Sequence, residues 1–428
     1  MDGRTNRQAA EPEGTGRHGA RLAALQQRMA AAGVDLVVLT PGTSWWYLTG
    51  VGLLASRLAL FFVPRQGEPA WVVPRLEAER VARSPLATAL ALAPERVCTY
   101  ADGDDPAPAV ARAAALATAG LGGPPRVAAM EERVARLFEW HAARGGLPGV
   151  AWQAAEPLLA ALRARKDPAE VAAIRRAAEL VETALGHGSA FVQPGYRESQ
   201  IAREIEKALR ELGTRSPFGI HVASGPRSAV PHAETSDRML QPGDLVWIDV
   251  GAEVDGYAAD ITRTFLLPGG DPTAAARKAE IYRVCYQAQA AARAAARPGV
   301  RARDVDAAAR QRIAQAGFGP YFTHRTGHGL GLDVHEAPDI APGDDTVLEP
   351  GMVFTVEPGI YLPGIGGVRI EDDLLITDDG AVSLTRYRRW LAPGPEPPEP
   401  AGPSASRSAA DVPDPGRSVA GGRGAEGR

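Results

Sequence analysis

The sequence predicts an α+β protein of two domains, and three observations carry that prediction. Strand-like and helix-like segments alternate through the first 150 residues. Leu245 to Phe265 reads as a β-hairpin, with apolar and β-branched residues on both sides of Asp255-Gly256. From Pro168 onward the order helix, helix, strand pair occurs twice. A chain of 428 residues is long enough for two domains that each bury a core, with tails to spare.

Taken in order, residues 1–17 are polar and Gly-rich without apolar period, the composition of a disordered tail. From Ala20 to Ala32 apolar residues recur at helical spacing. Gly33 closes that helix before a strand from Asp35 to Thr40. Leu58–Pro64 and Ala70–Val73 are further strands and Arg75–Arg83 a helix, which makes 18–157 an α/β domain of ordinary size. It shows no catalytic cluster. The run Trp45-Trp46-Tyr47 invites a ligand-stacking role, but aromatics are more often core or interface anchors, and that is the expectation for this turn.

Asp167-Pro168 is a helix start, Asp as the cap and Pro as the first helical residue, so the second domain is placed at 158–392. Amphipathic helices over Pro168–His187 and Tyr196–Leu212 are parted by Gln193-Pro194-Gly195. The hairpin follows, then helices over Thr273–Arg297 and Val305–Ala316, then strands over Met352–Glu357 and Val368–Thr377. The repeated order suggests two halves packed around one site. Residues 393–428 are Pro, Gly, Ser and charge, an expected disordered tail.

Composition excludes several function classes. A net charge of -4 with both signs mixed gives no basic surface for nucleic acid. Cys98 and Cys285 are the only cysteines and lie far apart, so neither a disulfide framework nor a cysteine zinc site can form. The longest apolar run, Leu58–Val63, is too short to span a bilayer. A cytoplasmic protein without membrane contact is the expectation.

A hairpin turning between Asp255 and Gly256 sets Asp249 opposite Thr262 and makes Asp260 its diagonal neighbour on the same face, roughly 7 to 8 Å away at Cα. Two bare buried carboxylates at that spacing stay ionised only if a cation neutralises them; a solvated face is the plainer alternative. Glu357 in Thr-Val-Glu-Pro-Gly and Glu371 in Val-Arg-Ile-Glu-Asp-Asp repeat the pattern in the second half. Between the two strand pairs, Thr323 to His335 carries three of the eight histidines among glycines, without the strand-then-helix setting of a dinucleotide loop. Four carboxylates balance two divalent cations, and oxygen ligands with one imidazole suit manganese, with cobalt or zinc as alternatives.

These residues resemble the pita-bread metallopeptidases, in the branch of Xaa-Pro aminopeptidases and Xaa-Pro dipeptidases (prolidases). The motifs are Ile-Asp-Val-Gly, Ala-Asp-Ile-Thr-Arg-Thr-Phe, Gly-His-Gly-Leu-Gly, Val-Glu-Pro-Gly and Arg-Ile-Glu-Asp, between about 160 and 392. The resemblance implies metal ligation by Asp249, Asp260, His328, Glu357 and Glu371. Asp260 and Glu371 would bridge two ions, Asp249 serve one, and His328 and Glu357 the other. It also implies substrate contacts at His232, His335 and Arg369 and catalytic roles for Glu357, His232, His324 and His335. The N-terminal domain is similar in general pattern to the creatinase/prolidase N-terminal type, including Trp-Trp-Tyr-Leu-Thr-Gly.

The function so implied is hydrolysis of the Xaa-Pro bond of short peptides by a hydroxide held between two divalent ions. That bond is a tertiary amide without N–H, so a dedicated site must grip it and protonate the leaving nitrogen, with Glu357 as the shuttle. Arg369 is expected to hold a substrate carboxylate through its planar fork. Family members are commonly dimers, so a homodimer is expected. A creatinase-like or other amidinohydrolase on the same fold is the alternative reading.

Overall fold

The computed structural model describes residues 15–399; the outer parts of both expected tails, 1–14 and 400–428, lie outside it. The chain divides between Ala164 and Arg165 into two compact units.

The first unit runs α1 (Thr15–Ala32), β1 (Leu36–Leu39), α2 (Thr43–Thr49), β2 (Leu60–Pro64), β3 (Ala70–Pro74), α3 (Ala78–Ala82), α4 (Pro85–Ala89), β4 (Val97–Tyr100), α5 (Ala107–Thr118), β5 (Val127–Met130), α6 (Leu137–Gly146), β6 (Ala151–Ala154) and α7 (Glu156–Arg163). Its six strands form one sheet in the order β4-β3-β2-β1-β5-β6. The ladders of β2 with β1 and β3 are antiparallel and the others parallel. The unbroken apolar runs of β1, β2 and β3 are buried along their whole length, as strands covered on both faces must be. Alternate side chains, Leu36, Val38, Leu60, Phe62 and Val72, pack with Val110, Ala113 and Ala143 of α5 and α6. Phe61 and Trp71 stack at 4.5 Å, and Trp45 of α2 meets Phe61 edge-on at 5.8 Å.

Trp45 and Tyr47 are core anchors, 0% and 3% exposed, the commoner role expected of such aromatics, and their segment is helical rather than a turn. Two bounds also differ from expectation. Helix α1 starts at Thr15, inside the segment expected to be loose. Glycines at 16 and 19 hid that turn from a propensity reading; tertiary bonds from His18 and Arg21 to the Tyr47 carbonyl hold the helix instead. Helix α7 lies with the first unit, so the division falls at 164/165 where 157/158 was expected.

The second unit runs α8 (Pro168–Ser189), α9 (Glu198–Glu211), β7 (His221–Ser224), β8 (Leu245–Val254), β9 (Tyr257–Leu266), α10 (Pro272–Ala295), α11 (Ala302–Gln315), β10 (Gly327–Gly329), β11 (Glu336–Ile340), β12 (Val353–Val356), β13 (Gly359–Leu362), β14 (Gly366–Arg369), β15 (Asp372–Thr377) and β16 (Gly380–Ser383). Asp167 caps α8, accepting from Glu170 N–H while the Glu170 carboxylate accepts from Asp167 N–H, a capping box around Pro168. Strands group as β7-β8-β9, β11-β10-β12-β15-β16 and β13-β14. The β8–β9 turn has positive φ at Asp255 (51°) and Gly256 (81°), the two left-handed positions of a type I′ turn. Its register pairs Asp249 with Thr262.

Helix pair then antiparallel strand pair does recur, β12 with β15 answering β8 with β9. The second pair is interrupted, however. The expected strand Val368–Thr377 is two strands, β14 ending at Arg369 and β15 starting at Asp372. The break falls at Glu371 because its N–H donates to Thr262 O, in β9, at 3.1 Å.

Candidate metal centre

Strand β9 is the spine of the site. Asp260, Thr262 and Thr264 share one face of it, and the last two tie the segment 369–371 to that face. Thr262 Oγ1 donates to Glu371 Oε2 at 2.5 Å, and Thr264 Oγ1 donates to Arg369 O at 2.8 Å. Across the hairpin β8 presents Asp249. Close approach here needs a glycine: a Cβ on Gly251 would lie 2.7 Å from the Phe218 ring and 2.8 Å from Ala259 O.

The histidine-bearing segment comes from the other side. His328 N–H donates to Thr355 Oγ1 of β12 at 3.1 Å, and a Cβ on Gly327 would stand 1.8 Å from Thr355 O. Only glycine lets β10 lie against β12 there. Glu357, just past β12, is anchored by its N–H to Thr326 O at 2.7 Å. Asp306 and Arg310 of α11 hold the start of the segment: Asp306 accepts from Thr326 Oγ1 and Arg310, and Arg310 donates to the carbonyls of Phe322 and His324.

All nine residues singled out in the sequence, Asp249, Asp260, His328, Glu357, Glu371, His232, His324, His335 and Arg369, line one cavity of about 420 Å³ in the second unit. Among the described residues, Asp260, His328 and Glu371 bring ligand atoms within 4.8 Å of one another, all three buried. Asp249 stands beside them with Oδ2 2.7 Å from Arg369 Nη2. Glu357 Oε1 lies 3.3 Å from His328 Nε2.

These donors fit divalent cations on three counts. Asp260 Oδ1 is buried without a hydrogen-bond partner, a costly state for a carboxylate oxygen. Burial, reinforced at Asp260 by the charges of Glu371 and Asp249 and at Glu371 by those of Glu357 and Asp249, pushes both carboxyls well above the usual carboxylate range, the repulsion that a cation relieves. His328 Nδ1 faces its neighbour's carbonyl, Gly329 O, at 3.2 Å. A proton on Nδ1 leaves the Nε2 lone pair facing the Glu357 oxygen, and two acceptors at that distance need a proton or a cation between them.

The substrate-side groups differ from one another. His232 is exposed at the cavity wall. His324 Nδ1 is 2.7 Å from Arg325 O and so carries the proton; its Nε2 accepts from Tyr361 Oη at 3.0 Å. Burial lowers its pKa, in keeping with that neutral tautomer. His335 crosses the His328 ring edge-on at 4.2 Å; burial, then the charges of His328 and Arg325, lowers it to about 4. Arg369 is 5% exposed and commits four N–H groups, to Thr262 Oγ1, Pro231 O, Tyr361 Oη and Asp249 Oδ2. Only one of the five N–H of a guanidinium is left, so Arg369 orders Asp249 and Tyr361 and offers no free fork to a carboxylate.

Sequence reasoning missed Tyr361, Thr262 as the orienter of Glu371, and Asp373. Asp373 Oδ2 accepts from Asp260 N–H at 3.0 Å, which fixes the backbone that bears the Asp260 carboxylate. Thr262 carried a signal, being opposite Asp249 in the predicted register. Tyr361 sits on β13, a strand with no expectation attached, and carried none.

Residues 172–378 match metallopeptidase family M24 and residues 21–165 match the creatinase/prolidase N-terminal domain. The probable dipeptidase PepE of Mycobacterium bovis is 41% identical over 368 residues, 85% of this chain and 93% of the relative. The Xaa-Pro dipeptidase of Pyrococcus furiosus is 44% identical over 231 residues, 54% of this chain and 65% of the relative. The crystal structure of dipeptidase PepE from Mycobacterium ulcerans shares the fold at a TM-score of 0.80 and 38% identity, covering 89% of this chain and 99% of that one.

Proposed function

From its place in metallopeptidase family M24, to which this chain belongs, we propose that it hydrolyses the Xaa-Pro bond of short peptides at a dinuclear centre. It is a metal-dependent hydrolase of peptides; the proline preference, the two-ion centre and the individual roles are our reading. The observation that carries it is the Asp260–His328–Glu371 cluster, with an unpartnered buried oxygen on Asp260. The Xaa-Pro dipeptidase among the relatives supports proline as the residue after the scissile bond.

Asp249, Asp260, His328, Glu357 and Glu371 would hold the two divalent ions, manganese first and cobalt or zinc as alternatives. Bound there, the ions supply an activated water at neutral pH and polarise the scissile carbonyl. The chain's own groups do the rest. Glu357 takes the proton that the attacking water loses and delivers it to the proline nitrogen, which must leave protonated. His232, exposed at the wall, donates to the oxygen on which charge develops. His335 bounds the side that receives proline. His324 orients Tyr361, Tyr361 accepts from Arg369, and Arg369 holds Asp249. A homodimer in the cytoplasm is the setting we propose.

Matched dipeptides decide the substrate. Ala-Pro is expected to be cleaved with a kcat/KM at least about 10²-fold above that of Ala-Ala, a difference of roughly 2.7 kcal/mol in transition-state binding. Equal values on the two would overturn the proline reading and leave the peptidase standing. Elemental analysis of the purified chain is expected to return two divalent ions; activity in a metal-free sample would end the dinuclear reading.

A further inference from the structure

The proposed chemistry leaves unused a buried ion pair, one partner of which lies next to His335 in the chain. Lys166 Nζ lies 2.7 Å from Glu336 Oε1, with side chains 1% and 9% exposed. Burying a full ammonium and a full carboxylate costs several kcal/mol per ion, and such pairs are seldom more stable than well-packed apolar residues of the same volume. Stability alone is therefore a poor reason for this pair to be here.

Its location supplies a better one. Glu336 is the residue after His335 and opens β11. The glycine-rich segment that carries His328 and leads to His335 passes directly over the pair. A Cβ on Gly331 would fall 2.5 Å from Glu336 Oε1 and 3.1 Å from Lys166 Cε, and one on Gly329 would fall 2.6 Å from Glu336 O. The ammonium is itself fixed from behind. Lys166 N–H donates to Gly351 O at 2.8 Å, and Gly351, at φ +90°, has no room for a Cβ against Lys166 O at 3.0 Å. Rigid backbone thus holds Lys166, Lys166 holds Glu336, and Glu336 fixes the peptide from which the His335 imidazole projects into the cavity. Arg310 and Asp306 do the same for the opposite end of the segment, at His324. A segment of glycines has little stiffness of its own; pinned at both ends, it presents its histidines at one geometry.

We infer that Lys166, paired with Glu336, is a positioning residue that sets the placement of His335 against the substrate. The inference rests on the reading of His335 as a substrate-side group given above. Neither residue of the pair is among those lining the cavity, and the pair acts through that histidine.

The test replaces both charges, because Lys166→Met alone strands a buried carboxylate and risks the fold. The double variant Lys166→Met with Glu336→Met fills the space with unbranched apolar side chains and is expected to melt close to the parent temperature with two ions bound. If the pair positions His335, kcat/KM on Ala-Pro falls about tenfold or more, a misplacement effect, in a protein that is folded and loaded. The same double change is then made together with His335→Ala, where it should cost nothing further. Full activity in the folded, loaded double variant would overturn the inference, and so would an equal further loss on the His335→Ala background. If His335→Ala itself left activity untouched, the reading of His335 would fall and this inference with it; the additive result would remove this inference alone.

Discussion

At the scale of the residue, the site separates groups that must meet a cation from groups that must meet a peptide. Asp260→Ala removes a buried acid from the centre of the cluster and is expected to lose both ions and all measurable turnover. His232→Ala touches an exposed ring at the wall and should keep both ions while kcat falls by about 10²-fold, the usual size of a lost donor to developing charge. Elemental analysis beside steady-state kinetics separates the two; a metal-free His232 variant beside a loaded Asp260 variant would reverse the assignment. Tyr361→Phe is expected to keep the ions, free His324 Nε2 and one Arg369 N–H, and lower kcat by about tenfold without raising KM in proportion. An unchanged kcat would show that the Tyr361 hydroxyl only fills space.

At the scale of the element, α1 and α2 meet through a histidine whose titration is readable. His18 Nδ1 bonds to Tyr47 O at 3.1 Å, and burial, then the Arg21 charge, lowers its pKa from 6.5 to about 4. Between those values the unfolded chain binds a proton that the folded one refuses, so unfolding takes up a proton and stability falls as pH drops from about 6.5 towards 4. Hydrogen exchange of the α1 and β1 amides should report that loss, and His18→Gln should flatten it. An equal pH slope in the variant would place the dependence elsewhere. The same elements show what was legible in the chain. The β8–β9 register was legible because Asp255-Gly256 is a turn that only left-handed residues make and because strand period is two. The α8 start was legible from Asp167-Pro168. The first turn of α1 was not, since partners distant in sequence stabilise it. Nor was the break at Glu371, which a bond to β9 creates and no local propensity encodes.

At the scale of the whole molecule, the nine site residues come from β8, β9, β10, β14 and the loops beside them, spread over 140 positions from His232 to Glu371 and all in the second unit. Metal binding is therefore coupled to the folding of that unit as a whole. Each ion bound only by the folded state adds about 2.7 kcal/mol at a free concentration one hundred times its Kd, which for a unit of this size raises its melting temperature by roughly 5–10 °C. The acids add a pH dependence of definite sign. With the ions stripped, the folded unit keeps protons on Asp260 and Glu371, whose pKa values stand well above their ordinary 3.8 and 4.5, whereas the unfolded chain releases them above those values. Unfolding then releases protons, so the stripped unit becomes less stable as pH rises through the raised range. With ions bound, both carboxylates are ionised in the folded and unfolded states alike, and the dependence disappears. Calorimetry with and without chelator, in a pH series that starts from the ordinary carboxyl values of 3.8 and 4.5, should therefore show a loaded-minus-stripped gap in melting temperature that widens as pH rises, while chelator leaves the melting of the first unit unchanged. A gap that does not widen with rising pH would mean that the two acids are already ionised in the stripped fold, paired by something other than the cations assigned to them.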